Sequence, residues 1–271
     1  MATVAAASEC PGNPNALGVS RVVAINTTGG PGFGFQHYKL YDFLKPGEVV
    51  LTFDDGPLPT HTVTILKALK EHCVRATFFP VGKLAVGYPE ILKMVGDDGH
   101  TVGSHTWSHD NIAGKKMTFE AARDQIEDAV SAVKVALGSP GAPFFRYPYL
   151  RDTPESIKYL AERNIAVFST DLDSFDFKGG RPTEMVARVM RNLQKRGKGI
   201  ILFHDIQKVT AQAIPDLLRK LKEGGFKIVH LTAKEPVTTL PAYDEKIGKH
   251  LSGRSSMVMR PLSSVVETVK E

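Results

Sequence analysis

The sequence predicts an α/β protein in which a parallel sheet is covered on its outside by helices. Three observations carry this. Short, almost continuously apolar runs recur along the chain, as expected for strands buried on both faces. Between them lie longer stretches with apolar residues at helical spacing. The two kinds of segment alternate about seven times, the order expected when each strand returns through a helix to a parallel neighbour.

Residues 1–47 are rich in Gly, Pro and Asn and read as an irregular N-terminal arm, with GGPGFGF (29–35) as a loop. The regular pattern starts at EVVLTF (48–53) and continues through VRATFF (74–79), HTVGSH (100–105), PFFRYP (143–148), IAVFST (165–170), GIILFH (199–204) and FKIVHL (226–231). Helices are expected at 60–72, 118–137, 153–164, 182–197 and 210–225. Thr118 suits an N-cap and Gly138 a C-terminal stop, and Thr153-Pro154 is a good N-cap and N1 pair. The last two helices end in Gly after basic residues, as helix ends favour. The tail, 236–271, is weakly periodic and reads as a peripheral, partly disordered extension, which leaves 48–235 as the main domain. An open doubly wound sheet would alternate in the same way, but no GxGxxG follows the first strand.

The 271 residues are 42% hydrophobic and 23% charged, which excludes a mainly disordered chain, a collagen and a small disulfide scaffold. No apolar run approaches the ~18 residues of a membrane-spanning helix. The net charge of +5 suits an anionic surface or polymer. The basic residues are spread over helical faces without a basic-aromatic constellation, so no nucleic-acid partner is expected. The first residues lack the cationic and apolar regions of an intact signal peptide. A periplasmic or secreted location with the signal removed is expected, and a cytoplasmic start is the alternative. If the protein is exported, Cys10 and Cys73, the two cysteines, can form a disulfide; two unrelated buried thiols are the alternative.

Residues with catalytic potential gather at the C-terminal ends of the expected strands, the rim on which parallel α/β folds build active sites. Asp54-Asp55-Gly56 closes the first, and His105-Thr106-Trp107-Ser108-His109 the third. Arg146-Tyr147-Pro148-Tyr149 closes the fourth, Asp171, Asp173 and Asp176 follow the fifth, and His204-Asp205 closes the sixth. Adjacent carboxylates repel unless a cation relieves them. Successive strand residues point in different directions, so one aspartate can ligate while the other acts as a base. His105 and His109, four apart, would face the same way on a helical turn. Two imidazoles and a carboxylate suit a divalent metal, Zn or otherwise Fe, Co or Mn, with positions left open. Arg146 can orient a carboxylate, and His204 can donate a proton near neutral pH when a nearby Asp tunes it.

In this order TFDDG, HTWSH, RYPY, DSFDF and LFH resemble the five motifs of the polysaccharide deacetylase (NodB homology, carbohydrate esterase family 4) domain, over about residues 48–231. The resemblance implies a distorted (β/α) barrel of about seven parallel strands. It implies Asp55, His105 and His109 as ligands of one divalent metal, usually Zn, with Co or another divalent ion as the alternative. It implies Asp54 as catalytic base, Arg146 as its orienting partner and His204 as general acid, tuned by Asp176 or, second, Asp173. Tyr149 N–H would serve the oxyanion, Leu202 would line the acetyl pocket, and Pro148 would belong to the substrate-binding segment. The implied reaction is metal-dependent removal of N-acetyl groups from a polysaccharide or oligosaccharide containing N-acetylglucosamine, peptidoglycan or chitin-like, with release of acetate. The alternatives are an O-acetyl esterase on acetylated xylan or another glycan, hydrolysis of a non-sugar cyclic amide or imide, and a catalytically inactive glycan-binding protein. Two positions depart from the family pattern: Phe177 follows Asp176 where Trp is usual, and Thr170 stands where a groove aromatic is common. Both bear on the shape of the substrate groove more than on the chemistry.

Overall fold

The computed structural model describes residues 10–258. All seven expected strands are present. They are β3 (Glu48–Asp55), β4 (Thr77–Pro80), β5 (Thr101–Val102), β6 (Phe144–Phe145), β7 (Ala166–Phe168), β9 (Gly199–His204) and β10 (Lys227–Ala233). Three more had no clear sequence signal: β1 (Val19–Ile25), β2 (Gly32–Phe33) and β8 (Leu172–Asp173). Every strand pairing is parallel. One sheet runs β1-β10-β3-β4-β5, with β9 on the other side of β3 and β8 beyond it; a second runs β2-β7-β6. A bridge between Ser104 and Phe145 joins the two sheets. The strands thus form a distorted barrel with helices outside.

The helices are α1 (His61–Glu71), α2 (Gly82–Gly87), α3 (Pro89–Asp97), α4 (Phe119–Leu137), α5 (Pro154–Glu162), α6 (Pro182–Arg196), α7 (Lys208–Glu223) and α8 (Pro241–Val258). The expected caps form. Thr118 Oγ1 accepts from Ala121 N–H at 3.2 Å, Thr153 Oγ1 accepts from Ser156 N–H at 3.2 Å, and Gly138 ends α4 in the left-handed region. The interior is packed with apolar side chains. The Phe53 ring stacks between Phe78 and Phe203, and burial of each such side chain stabilises the fold by about 1.5–3 kcal/mol.

Three expectations fail here, and the tail proves ordered as far as residue 258. The arm is not irregular throughout, because β1 pairs along β10 and β2 along β7. Residues 19–24 alternate between half-buried and exposed positions and only Ile25 is buried, so the strand's apolar signal is weak. GGPGFGF is likewise not all loop. The tail carries α8, which packs on α4 and buries Ile247; residues 259–271 lie outside the described residues. The alternation is also not strict: two short helices separate β4 from β5, and no helix separates β7 from β8. The cysteines do pair: Cys10 and Cys73 form a disulfide that ties the arm to the end of α1.

Candidate active site

Sheet register brings the predicted residues together. Asp54 and Asp55 end β3, where Asp54 lies beside His204 of β9 and Asp55 beside Pro80 of β4. Asp173 of β8 pairs with Leu202 of β9. The Ser104 bridge sets the end of β5 beside β6, next to Arg146. The rim holds a cleft of about 810 Å³ whose wall includes Asp54, Asp55, His105, His109, Leu202 and His204.

Arg146 is fully buried, and each part of its guanidinium is used. It donates to Asp54 Oδ1 at 2.7 Å, Thr52 Oγ1 at 2.8 Å, and the Phe168 and Ser169 carbonyls at 3.1 and 2.9 Å. It also lies 4.5 Å over the Phe79 ring. A cation this deep is stable only when paired and hydrogen-bonded. Its effect on Asp54 is to hold one carboxylate oxygen and turn the other towards the cleft.

Asp55, His105 and His109 form a candidate metal-ligating set: each offers one donor atom, and the three lie within 4.8 Å of one another. Asp55 Oδ1 lies 3.4 Å from His105 Nε2 and 3.2 Å from His109 Nε2. His105 Nδ1–H donates to the Arg146 carbonyl at 2.7 Å, which leaves Nε2 as the free lone pair facing Asp55. Asp55 Oδ1 is buried without a hydrogen-bond partner, and a cation is the group that would satisfy it. The donor set therefore fits one divalent metal. Burial alone would raise the Asp55 carboxyl, but contact with His105 and the charges of His204 and His109 bring it down to about 2. Burial, reinforced by His105, lowers His109. Both shifts favour the protonation states that ligation requires.

The histidines do not share a helical turn as expected. Residues 105–109 form a loop in which Thr106 and His109 take φ values of 60°, and these bends aim both imidazoles at Asp55.

His204 Nδ1 and Asp176 Oδ1 are 2.7 Å apart. Asp176 Oδ2 accepts from His204 N–H and from Thr210 Oγ1 of α7. Burial pushes His204 down, but the hydrogen bond and charge of Asp176, helped by Asp54 and Asp55, raise it to about 9. Asp176 is thus the carboxylate in contact with His204. Asp173 lines the cleft, but its carboxylate accepts from Phe175 N–H at 2.7 Å. Asp171 is structural, accepting from Phe35 N–H, Ile200 N–H and Arg196.

Tyr149 sits in a 3₁₀ turn, Pro148–Leu150, at φ 58°; its N–H takes no part in the hydrogen bonds of that turn. Its ring is 63% exposed and contacts His109, while Phe177, 51% exposed, contacts His204 edge-on. Two exposed aromatics thus flank the site. Pro148 is buried and does not line the cleft, unlike its expected place in the substrate segment. Thr170 is also buried, bonded to the Leu172 and Ile200 carbonyls, so it forms no groove wall.

Sequence reasoning missed other residues at the cleft: Gln36 and His37 from the arm, and Asn111, Leu150 and Arg151 from loops. None lies in a recognisable pattern. It also missed what Asp205 does. This buried carboxyl accepts from Gly56 N–H at 2.9 Å and Thr62 Oγ1 at 2.6 Å, and burial pushes it up to about 7. A Cβ on Gly56 would collide with it, so the glycine after Asp55 is required by this close approach.

A model of the polysaccharide deacetylase family matches residues 44–168. A peptidoglycan-N-acetylglucosamine deacetylase of Bacillus cereus is 32% identical over 206 residues, covering 73% of this chain and 73% of the relative. A chitooligosaccharide deacetylase of Azorhizobium caulinodans is 31% identical over 160 residues, 58% of this chain and 73% of the relative. Among solved structures, a Bdellovibrio bacteriovorus peptidoglycan deacetylase superposes with a TM-score of 0.72 at 34% identity, over 80% of this chain and 59% of that one.

Proposed function

The chain belongs to the polysaccharide deacetylase family, and from that premise we propose that it is a metal-dependent amidohydrolase removing N-acetyl groups from a glycan containing N-acetylglucosamine, with release of acetate. The observation that carries this reading is the single cleft in which an Arg-held aspartate, an Asp-held histidine and an unsatisfied Asp-His-His cluster converge.

Asp55, His105 and His109 would hold the metal. When bound, a divalent cation of this kind supplies Lewis-acid polarisation and lowers the pKa of water. The remaining work falls to the chain's own side chains. Asp54, with one oxygen fixed by Arg146, accepts the proton of the attacking water. The Tyr149 N–H, without a partner among the described residues, donates to the oxygen on which negative charge develops, a contribution of about 3 kcal/mol for a well-placed donor. His204, protonated at neutral pH because Asp176 holds it, donates to the leaving amine nitrogen. Leu202 offers an apolar contact for the acetyl methyl, and the Tyr149 and Phe177 rings offer faces to the sugars. The Cys10–Cys73 disulfide supports an exported protein, since such bonds persist in oxidising compartments.

The test is acetate release from chitin oligosaccharides and peptidoglycan, using protein stripped of metal and then reloaded with Zn²⁺ or Co²⁺, beside Asp54→Asn. We expect metal-dependent release that falls about 10²–10⁴-fold in the variant. Metal-loaded wild type that frees no acetate from either glycan would reject the reading, and release only from O-acetylated xylan would replace the amide with an ester.

A further inference from the structure

One wall of the cleft is built by residues with no part in that chemistry. Gln36 and His37 follow β2 and precede the residues matched by the family model. Leu150 and Arg151 follow β6. The two segments are tied together: the Tyr38 hydroxyl donates to Asp152 at 2.6 Å, and His37 and Leu150 share a small hollow beside the cleft. The arm segment is also anchored from behind. Gln36 N–H donates to the Thr170 carbonyl at 3.0 Å, and His37 Nδ1 lies 2.6 Å from Ser169 Oγ.

This wall presents donors. With the Ser169 hydroxyl donating to His37 Nδ1, the ring carries its N–H on Nε2. His37 is exposed, and its Nε2 has no partner among the described residues. The Arg151 guanidinium is exposed and makes no ion pair or side-chain hydrogen bond among the described residues. Its sequence neighbour Asp152 accepts from the Tyr38 hydroxyl and forms no ion pair with Arg151. The carboxylates that line the cleft, Asp54, Asp55 and Asp173, form no ion pair with Arg151: Asp54 is held by Arg146, Asp55 faces His105 and His109, and Asp173 accepts from Phe175 N–H. A guanidinium with no ion pair among the described residues therefore stands at the cleft, open to a ligand.

We infer that this wall is a carboxylate-recognising subsite. Arg151 pairs with a carboxylate carried by a sugar of the bound glycan, and His37 Nε2–H and the Gln36 amide bond its neutral oxygens. The planar guanidinium fork matches a carboxylate geometrically, and the net charge of +5 has the sign that gathers an anionic polymer. The substrate class is then an acidic glycan, with a lactyl ether carboxylate or a uronate beside the acetamido sugar, and not a neutral chitin chain. The inference rests on the deacetylase reading for which sugar faces Asp54, but the subsite itself is read by binding and needs no turnover.

The experiment measures the affinity of Asp54→Asn protein for three tetrasaccharides. These are neutral chitotetraose, a GlcNAc–MurNAc tetrasaccharide with free lactyl carboxylates, and a hyaluronan tetrasaccharide carrying uronates. We expect at least one acidic glycan to bind about fivefold or more tighter than chitotetraose at low salt. That preference should vanish when Arg151→Gln is added, survive in part with Arg151→Lys, and shrink as salt rises. Which acidic glycan is preferred identifies the source of the carboxylate. No binding, equal affinity for all three, or a preference that survives Arg151→Gln would overturn the subsite. Acetate release by metal-loaded wild type on the same glycans reports separately on the reaction: charge preference without acetate rejects the chemistry and leaves the subsite standing.

Discussion

Replacing Asp176 by Asn tests the proton donor with little change in shape. In the wild-type protein His204 is raised to about 9 from an ordinary 6.5, against the effect of its own burial. That gap corresponds to roughly 3 kcal/mol favouring the charged imidazole. Asp176 supplies the largest opposing contribution, through the 2.7 Å contact to Nδ1; the charges of Asp54 and Asp55 add less, and a cation on Asp55 would offset part of theirs. With Asn, burial dominates and His204 should titrate below 6.5. A general acid must be protonated, so activity is lost as pH rises through its pKa. The alkaline limb of kcat/KM is therefore expected near pH 9 in the wild type and at least about two pH units lower in Asp176→Asn. Stability follows the same sign. A raised histidine pKa contributes stability fully present below 6.5 and lost as pH rises through about 9, so the wild type's unfolding free energy should decline over that window and the variant's should not. The Asn side chain can still accept from Thr210 or from His204 N–H, and circular dichroism would confirm that the fold survives. An alkaline limb that stays in place in a folded variant would refute the assignment of His204 as proton donor.

Other outcomes follow from the same geometry. Adding Zn²⁺ at about 100 times its Kd to metal-stripped protein should stabilise it by about 2.7 kcal/mol in denaturant titrations, and His109→Ala should abolish most of that gain. On the far side of the barrel, burial holds His100 and His230 down to about 4. Being neutral in the fold but protonated when unfolded, each costs stability as pH falls from 6.5 towards 4, so urea midpoints should drop over that range and drop less in His230→Gln. The Cys10–Cys73 bond closes a loop with a sequence separation of 63, for which chain entropy predicts about 4 kcal/mol. Cys10→Ser should therefore lower the urea midpoint markedly, and an unchanged midpoint would show that the reduced chain is already constrained.

The site was legible to the extent that its chemistry lies in adjacent residues. Asp54-Asp55, the His105–His109 spacing, Arg146 and His204 each end an apolar run, so the strand pattern located them before any coordinate did. The same pattern failed for β1, whose side chains are half-exposed, and for α8, whose apolar contacts begin late in the tail. It misread the histidine loop too. Spacing of four suits a helical turn, and only the positive φ values at Thr106 and His109 reveal another way to make both imidazoles converge.

Sequence alone determined the α/β class and located the candidate site residues, because strand periodicity and short motifs are local properties of the chain. Tertiary structure decided what surrounds them. Arg146 reaches Asp54 across 92 positions, Asp176 reaches His204 across 28, and His37 is held by Ser169 across 132. Such contacts depend on which strands pair and in what register, and on which loops the closed barrel brings to one rim. The physical reason is that burial and pairing energies act through space, so a lone Arg151 or a histidine in a glycine-rich arm acquires a role only once folding has chosen its neighbours.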